Sequence, residues 1–247
     1  LEGISKKENF FVEGSGKAVI VGDNGKLSLI HLQDMTLDLS SKMEDIFGGE
    51  SLFPVFSYMS EKGAKATFTN ASMSLEAFNL TQGTTQDKEA TLFADETVTV
   101  GAGGELAVAH AATADKASFV VSDKDGNVLP VTGGNVDSAH NGEEVNVFYT
   151  YTATVGAIGA SALTTSVPGY VSIYHRSKPM KQKNGRVVRI LTTIYKARSD
   201  GSLKLDFKHK NAYAPELTFN AVDPEREDKK FMSFAIQDVT EEEKANA

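Results

Sequence analysis

From Val19 to Ile236 the chain sets apolar residues two apart in short runs, separated by glycine-centred turns, and this spacing predicts antiparallel β-sheet. The clearest run is Val145, Val147, Tyr149, Tyr151 and Ala153, which share one face of an extended strand while Asn146, Phe148, Thr150 and Thr152 take the other. Such a strand packs one face and offers the second to another surface. Five dipeptides, Asn24-Gly25, Asp125-Gly126, Asn141-Gly142, Asn184-Gly185 and Asp200-Gly201, supply the positive φ that tight hairpins require and are predicted to join antiparallel neighbours.

Strands are expected at 18–21, 27–32, 35–39, 65–69, 97–100, 106–108, 117–122, 145–153, 171–175, 186–195, 203–207, 217–222 and 231–236. Ser72 to Leu80 reads as a short helix capped by Asn70 or Ser72, although Ala71, Met73, Leu75 and Ala77 also alternate as a strand would; Gly83 ends the element in either case. Ser41 to Gly63 is rich in large apolar residues but keeps no lasting period, so it reads as a long loop. That loop either folds over its own domain or forms an arm against a neighbouring subunit. Gly156 to Val167 is a flexible stretch of small residues closed by Pro168 and Gly169. The organisation expected is a single β domain over 1–247, with 97–142 an inserted or outward-facing subdomain and 239–247 a flexible acidic tail.

With 247 residues, 40% of them hydrophobic, the chain can bury a substantial core in one large or two smaller units. Its 33 acidic against 25 basic side chains give a net charge of −8, which argues against an extended phosphate-binding surface. Acidic walls would repel nucleic acid, which suits a conduit that DNA must cross without sticking; the same charge also simply keeps a protein soluble. Without cysteine there are no disulfides, thiolate metal sites or thiol nucleophiles, in keeping with assembly in a reducing cytosol. No run approaches the roughly 20 apolar residues of a membrane span. Leu1 to Phe11, interrupted by Glu2, Lys6, Lys7 and Glu8, does not read as a secretory leader, so a soluble, unexported chain is expected.

Catalytic chemistry finds no foothold. His31, His110, His140, His175 and His209 lack the i, i+4 spacing of a zinc helix, and Gly101-Ala102-Gly103-Gly104 is followed by no Lys-Ser/Thr that would make it a phosphate cradle. Ala160-Ser161-Ala162 is not a nucleophile elbow, and the neighbouring carboxylates Asp45 and Glu50, or Glu225 and Glu227, read as solvated charges. Lys178, Lys181, Lys183, Arg186 and Arg189 form a basic run about the Asn184-Gly185 turn. They guard a strand edge or meet an acidic face on another copy; without interleaved aromatics, nucleic-acid binding is the weakest of these options. The expectation is therefore no enzyme, no cofactor, no metal site and no catalytic residue.

Three passages carry a resemblance. They are Gly48-Gly49 with Leu52-Phe53-Pro54-Val55, then Lys65-Ala66-Thr67-Phe68-Thr69-Asn70-Ala71, and Tyr195 to Leu205 followed by Pro215-Glu216-Leu217-Thr218-Phe219-Asn220-Ala221. Together with the Val145 to Ala153 strand they resemble major tail tube proteins of long-tailed bacteriophages. The resemblance implies an antiparallel β-sandwich or barrel core with one short helix and a long apolar loop. It also implies assembly of identical copies into rings, usually hexameric, stacked axially into the tube through which DNA is ejected. Partners would be other copies and other tail proteins, with DNA passing without specific binding and no membrane involved. The location would be the virion tail, assembled in the host cytoplasm. The family's inter-ring arm would correspond to Ser41 to Gly63, which makes Phe47, Leu52, Phe53, Val55, Phe56 and Tyr58 the candidate subunit-interface residues. The alternatives are a capsid decoration protein or another β-rich virion component, a carbohydrate-binding or adhesive module using Tyr149, Tyr151, Tyr170 and Tyr174, and last a hydrolase whose site the sequence does not reveal.

Overall fold

A computed structural model describes residues 14–23, 25–50, 52–204 and 214–239. The chain is mainly β, with antiparallel sheets and, among the described residues, one α-helix. In chain order the strands are β1 (Lys17–Gly22), β2 (Gly25–Leu29), β3 (Leu32–Ile46) and β4 (Phe56–Asn70), then helix α1 (Leu75–Gln82). Next come β5 (Gln86–Asp87), β6 (Ala90–Thr99), β7 (Val120–Ser122), β8 (Val128–Leu129), β9 (Glu144–Ala153) and β10 (Gly159–Ala160). The chain closes with β11 (Tyr170–Arg176), β12 (Met180–Lys181), β13 (Val187–Lys204), β14 (Glu216–Ala221) and β15 (Met232–Asp238). It divides into two compact units, residues 1–85 with 162–247, and residues 86–161. The segment 97–142 lies wholly within the second unit, which also takes in β9.

The first unit is built on one sheet of order β2-β1-β11-β13-β14-β4-β3, with β12 and β15 also paired to β13. Strand β13 is the organiser. Thr192 to Ile194 pair with β11 and β15, whereas Ala197 and Arg198 pair with β11 and β14, so β15 and β14 succeed each other along the same side and the sheet forks. The first and last strands of the order, β2 and β3, are joined only by Ile30 and His31, which brings the two ends of the sheet together at that corner. The result is a sandwich-like enclosure. Its interior takes alternate residues of each strand, including Ala18 and Ile20, Leu27 and Leu29, Ala66 and Phe68, Val171 and Ile173, and Leu217 and Phe219. Phe68 meets Phe219 edge to face with centroids 6.2 Å apart.

Helix α1 adds Ala77 and Leu80 to this interior. Its start is capped by Ser74, four residues after Asn70 and two after Ser72, with the hydroxyl accepting from the Ala77 N–H at 3.4 Å. Asn70 is buried, and its amide donates to Ser72. Gly83 ends the helix as the sequence implies, in the left-handed region at φ 69°, and a Cβ there would lie 2.1 Å from the Val167 carbonyl oxygen.

The second unit is a four-stranded sheet, β6-β9-β7-β8, with a two-strand ribbon of β5 and β10. The face of β9 read from the sequence is the packed one: Val145, Val147 and Tyr149 are buried against Val98, Val121, Phe119 and Leu129. Tyr149 is therefore unavailable to a surface groove.

Several expectations change. Asp200-Gly201 is not a hairpin but a bulge inside β13: Ser199 faces Phe219 and Leu203 faces Leu217, so β13 spends two extra residues there, and the Gly201 carbonyl accepts from the Gln82 amide at 2.7 Å. Asn141-Gly142 leads a short 3-10 turn into β9 and joins no strand pair. Leu106 to Val108 is no strand, since only an isolated bridge from Leu106 to Val100 forms; these residues cover the core from a loop. Val239, expected in a solvated tail, is buried, and its N–H donates to the Val187 carbonyl at 2.9 Å. Leu205 to Phe207, Leu1 to Phe11, His209 and 240–247 lie outside the described residues.

Candidate functional site

The segment read as a loop, Ser41 to Gly63, is the outer half of a β-hairpin. Strands β3 and β4, each 15 residues long, pair from Leu32 opposite Asn70 to Ile46 opposite Phe56, with register shifts at Gln33 and Ser60, leaving only 47–55 as the tip. The Val55 N–H donates to the Ile46 carbonyl at 2.8 Å and closes the ladder. Near the body β4 alternates buried and partly buried residues, but from Phe56 to Lys62 every residue is exposed, and β3 is almost wholly exposed beyond Leu39. At ~3.3 Å per residue, Leu39 to Ile46 carries the hairpin about 23 Å past its packed base. This is an arm of regular sheet.

Register explains what the arm displays. On one face Met35 and Leu37 stand beside Phe68 and Ala66, which belong to the core, and the same face continues outward as Leu39, Met43 and Met59, all exposed. Ser60 is left unpaired between Glu61 opposite Lys42 and Met59 opposite Met43; this bulge shifts the alternation of β4 by one residue and puts Met59 on the apolar side. The opposite face carries Lys42, whose ammonium lies 3.4 Å from Glu44 and 4.0 Å from Glu61. Tyr58 donates to Glu44 at 2.9 Å, and its ring stacks on Phe56 at 6.3 Å.

All six candidate interface residues fall on this arm. Phe47, Leu52, Phe53 and Val55 form the tip, with Leu52 92% and Phe53 78% exposed, and Phe56 and Tyr58 stand at the start of β4. Leu39, Met43 and Met59 on one face, and Ile46 beside Phe56 on the other, are further exposed apolar residues of the arm that escaped the sequence reading, because a loop assignment gives no faces to compare. Clustered exposed apolar groups are a common feature of protein contact surfaces.

Elsewhere several polar groups are engaged within their own unit. In the second unit the Glu96 carboxylate accepts from the Tyr149 hydroxyl at 2.7 Å and the Ala109 N–H at 2.9 Å. These bonds hold its pKa below the usual carboxylate value, and burial raises that of the Tyr149 phenol. His110 stacks flat on Tyr151 with centroids 3.9 Å apart. Phe93 and Phe148 stack on the exposed face of the sheet at 5.9 Å. In the first unit the His175 Nε2 lies 2.6 Å from the Ser15 carbonyl oxygen, so it carries the proton; its Nδ1 is buried without a partner, and burial lowers its pKa. Of the basic run, Arg186, just before β13, forms a two-bond pair with Asp238, and Arg189 of β13 donates to Gln237, so both hold this part of the chain to β15. Among the described residues no group of three or more His, Asp or Glu side chains is placed to hold a metal, and no helix is long and apolar enough to cross a membrane.

The family model described as the YomU/Tube protein family matches residues 11–236. No curated protein matches the chain. The chain belongs to the YomU/Tube protein family, and membership supports a tube-like phage structural protein.

Proposed function

We propose that this member of the YomU/Tube family is the repeating subunit of a phage tail tube. Copies associate into rings, hexameric as in the tail tube proteins the sequence resembles, and the rings stack into a conduit for DNA ejection within the virion tail. The carrying observation is the β3–β4 arm, which holds its apolar tip in water while the unit behind it already has a closed core. Burial at about 25 cal/mol per Å² of apolar surface favours insertion of the arm into another copy.

Head-to-tail contacts that close under rotation give rings, and repeated axial contacts give a filament. Sheet edges shared between neighbours would also remove the open margins of β2 and β3. Assembly requires no cofactor, and the subunit performs no catalysis. Electron microscopy of the purified full chain, with and without a tail-initiating partner, tests the reading: rings or tubes are expected. A chain that stays monomeric over a wide range of concentration and salt contradicts it.

A further inference from the structure

If the chain polymerises as proposed, the arm needs a receiving surface on the next copy, and the charge pattern of the first unit singles one out. Residues 43–60, the outer arm, contain Glu44, Asp45 and Glu50 and no basic residue. By contrast β1, β2, β11 and residues 187–199 of β13 contain no Asp or Glu at all, in a chain with 33 acidic residues. These acid-free strands are neighbours in the sheet.

Their two faces differ sharply. One buries Ala18, Ile20, Leu27, Leu29, Val171 and Ile173. Register puts Lys17, Val19 and Val21 of β1 on the other, beside Lys26 of β2 and Arg176 and Tyr174 of β11, with Tyr170 opposite Arg198 of β13. Tyr170, Tyr174 and Val21 are exposed, as are Lys17, Lys26 and Arg176. Lys196 stands 4.6 Å over the Tyr170 ring and is already paired with Glu225 at 3.4 Å. The face thus offers apolar and aromatic surface among cations, and the arm offers apolar and aromatic surface among anions.

We propose that the outer arm of one copy docks on this basic, tyrosine-bearing face of β2, β1, β11 and β13 in the next copy. Apolar contact supplies the drive, and the opposed charges select the orientation and reject the arm-to-arm pairing that like charges disfavour. Tyr and Arg are the residue types enriched at protein contacts. A receiver distinct from the arm makes the contact heterologous, as a ring or filament requires.

The test uses the full chain. Lys26→Glu with Arg176→Glu, and separately Asp45→Lys with Glu50→Lys, should each raise the concentration needed for assembly by about tenfold or more while leaving the circular dichroism unchanged. Combining all four changes should restore much of the assembly. Because the chain has no cysteine, a mixture of Phe53→Cys and Tyr174→Cys subunits should form the mixed disulfide-linked pair on oxidation. If wild type assembles while Lys26→Glu with Arg176→Glu does so equally well and no such cross-link forms, this docking is wrong and the tube reading survives. If those two changes instead abolish binding of an oligothymidylate without altering assembly, the face serves nucleic acid and the docking is likewise wrong. Failure of the wild type itself to assemble removes both.

Discussion

Replacing Leu52 and Phe53 by serine separates the role of the arm from the stability of its own subunit. Both side chains are largely exposed, at 92% and 78%, and neither belongs to the core, so shrinking them should leave the fold of the monomer intact. Exposed substitutions of this kind change stability by about 0.5 kcal/mol or less. If the tip inserts into another copy, each forfeits the ~1.5–3 kcal/mol of a buried Leu or Phe, or about 3–6 kcal/mol together. At about 1.4 kcal/mol per factor of ten, the concentration needed for assembly should rise at least about 100-fold. Thermal unfolding of the dilute subunit and sedimentation across a concentration series measure the two quantities side by side. A midpoint lowered by more than about 8 °C with assembly unchanged would show instead that the tip packs within its own subunit, since that magnitude belongs to a core residue.

Three further outcomes follow from local geometry. Gly83→Ala combines a left-handed backbone with a Cβ placed 2.1 Å from the Val167 carbonyl oxygen, and should cost more than about 1 kcal/mol in a urea melt, beyond a change in helix propensity alone. His175 is held neutral by burial, so its contribution is complete above the unfolded pKa of about 6.5 and is lost as pH falls toward its lowered folded value; melting of His175→Gln should show a weaker decline over that window. Glu96 has the opposite charge type, with a carboxylate pKa lowered first by the Tyr149 hydroxyl and then by the Ala109 N–H. Its contribution is present above the unfolded pKa of about 4.3 and disappears as pH drops through the folded one, and Tyr149→Phe should flatten that acid limb.

Strands with one wet and one dry face were legible in the sequence. Val145 to Tyr149 reads correctly because every second residue meets Val121, Phe119 or Leu129, and β1, β2 and β11 read correctly for the same reason. The first half of β6 did not read as strand. Glu96 sits on the packed face, satisfied by Tyr149, and Phe93 sits on the open one, which inverts the expected alternation. The arm lost its period for two physical reasons: neither of its faces is covered within the subunit, and the Ser60 bulge moves β4 out of step with itself. Asp200-Gly201 carries a hairpin's residue types, but positive φ serves a bulge as well as a turn, and only the partner strand distinguishes them. The apolar content of the arm was visible from its residues, as was the choice between folding back and reaching out. The acid-free sheet face was not, because Lys26, Arg176 and Tyr174 become neighbours only through the register of β1.

The most direct measurement is the mass of the full chain in solution as a function of concentration, with electron microscopy of any large species. A steep transition from subunits to rings or tubes is expected, and Leu52→Ser with Phe53→Ser should shift it to much higher concentration. A monodisperse monomer throughout, or tubes that form equally well from the double variant, would contradict it.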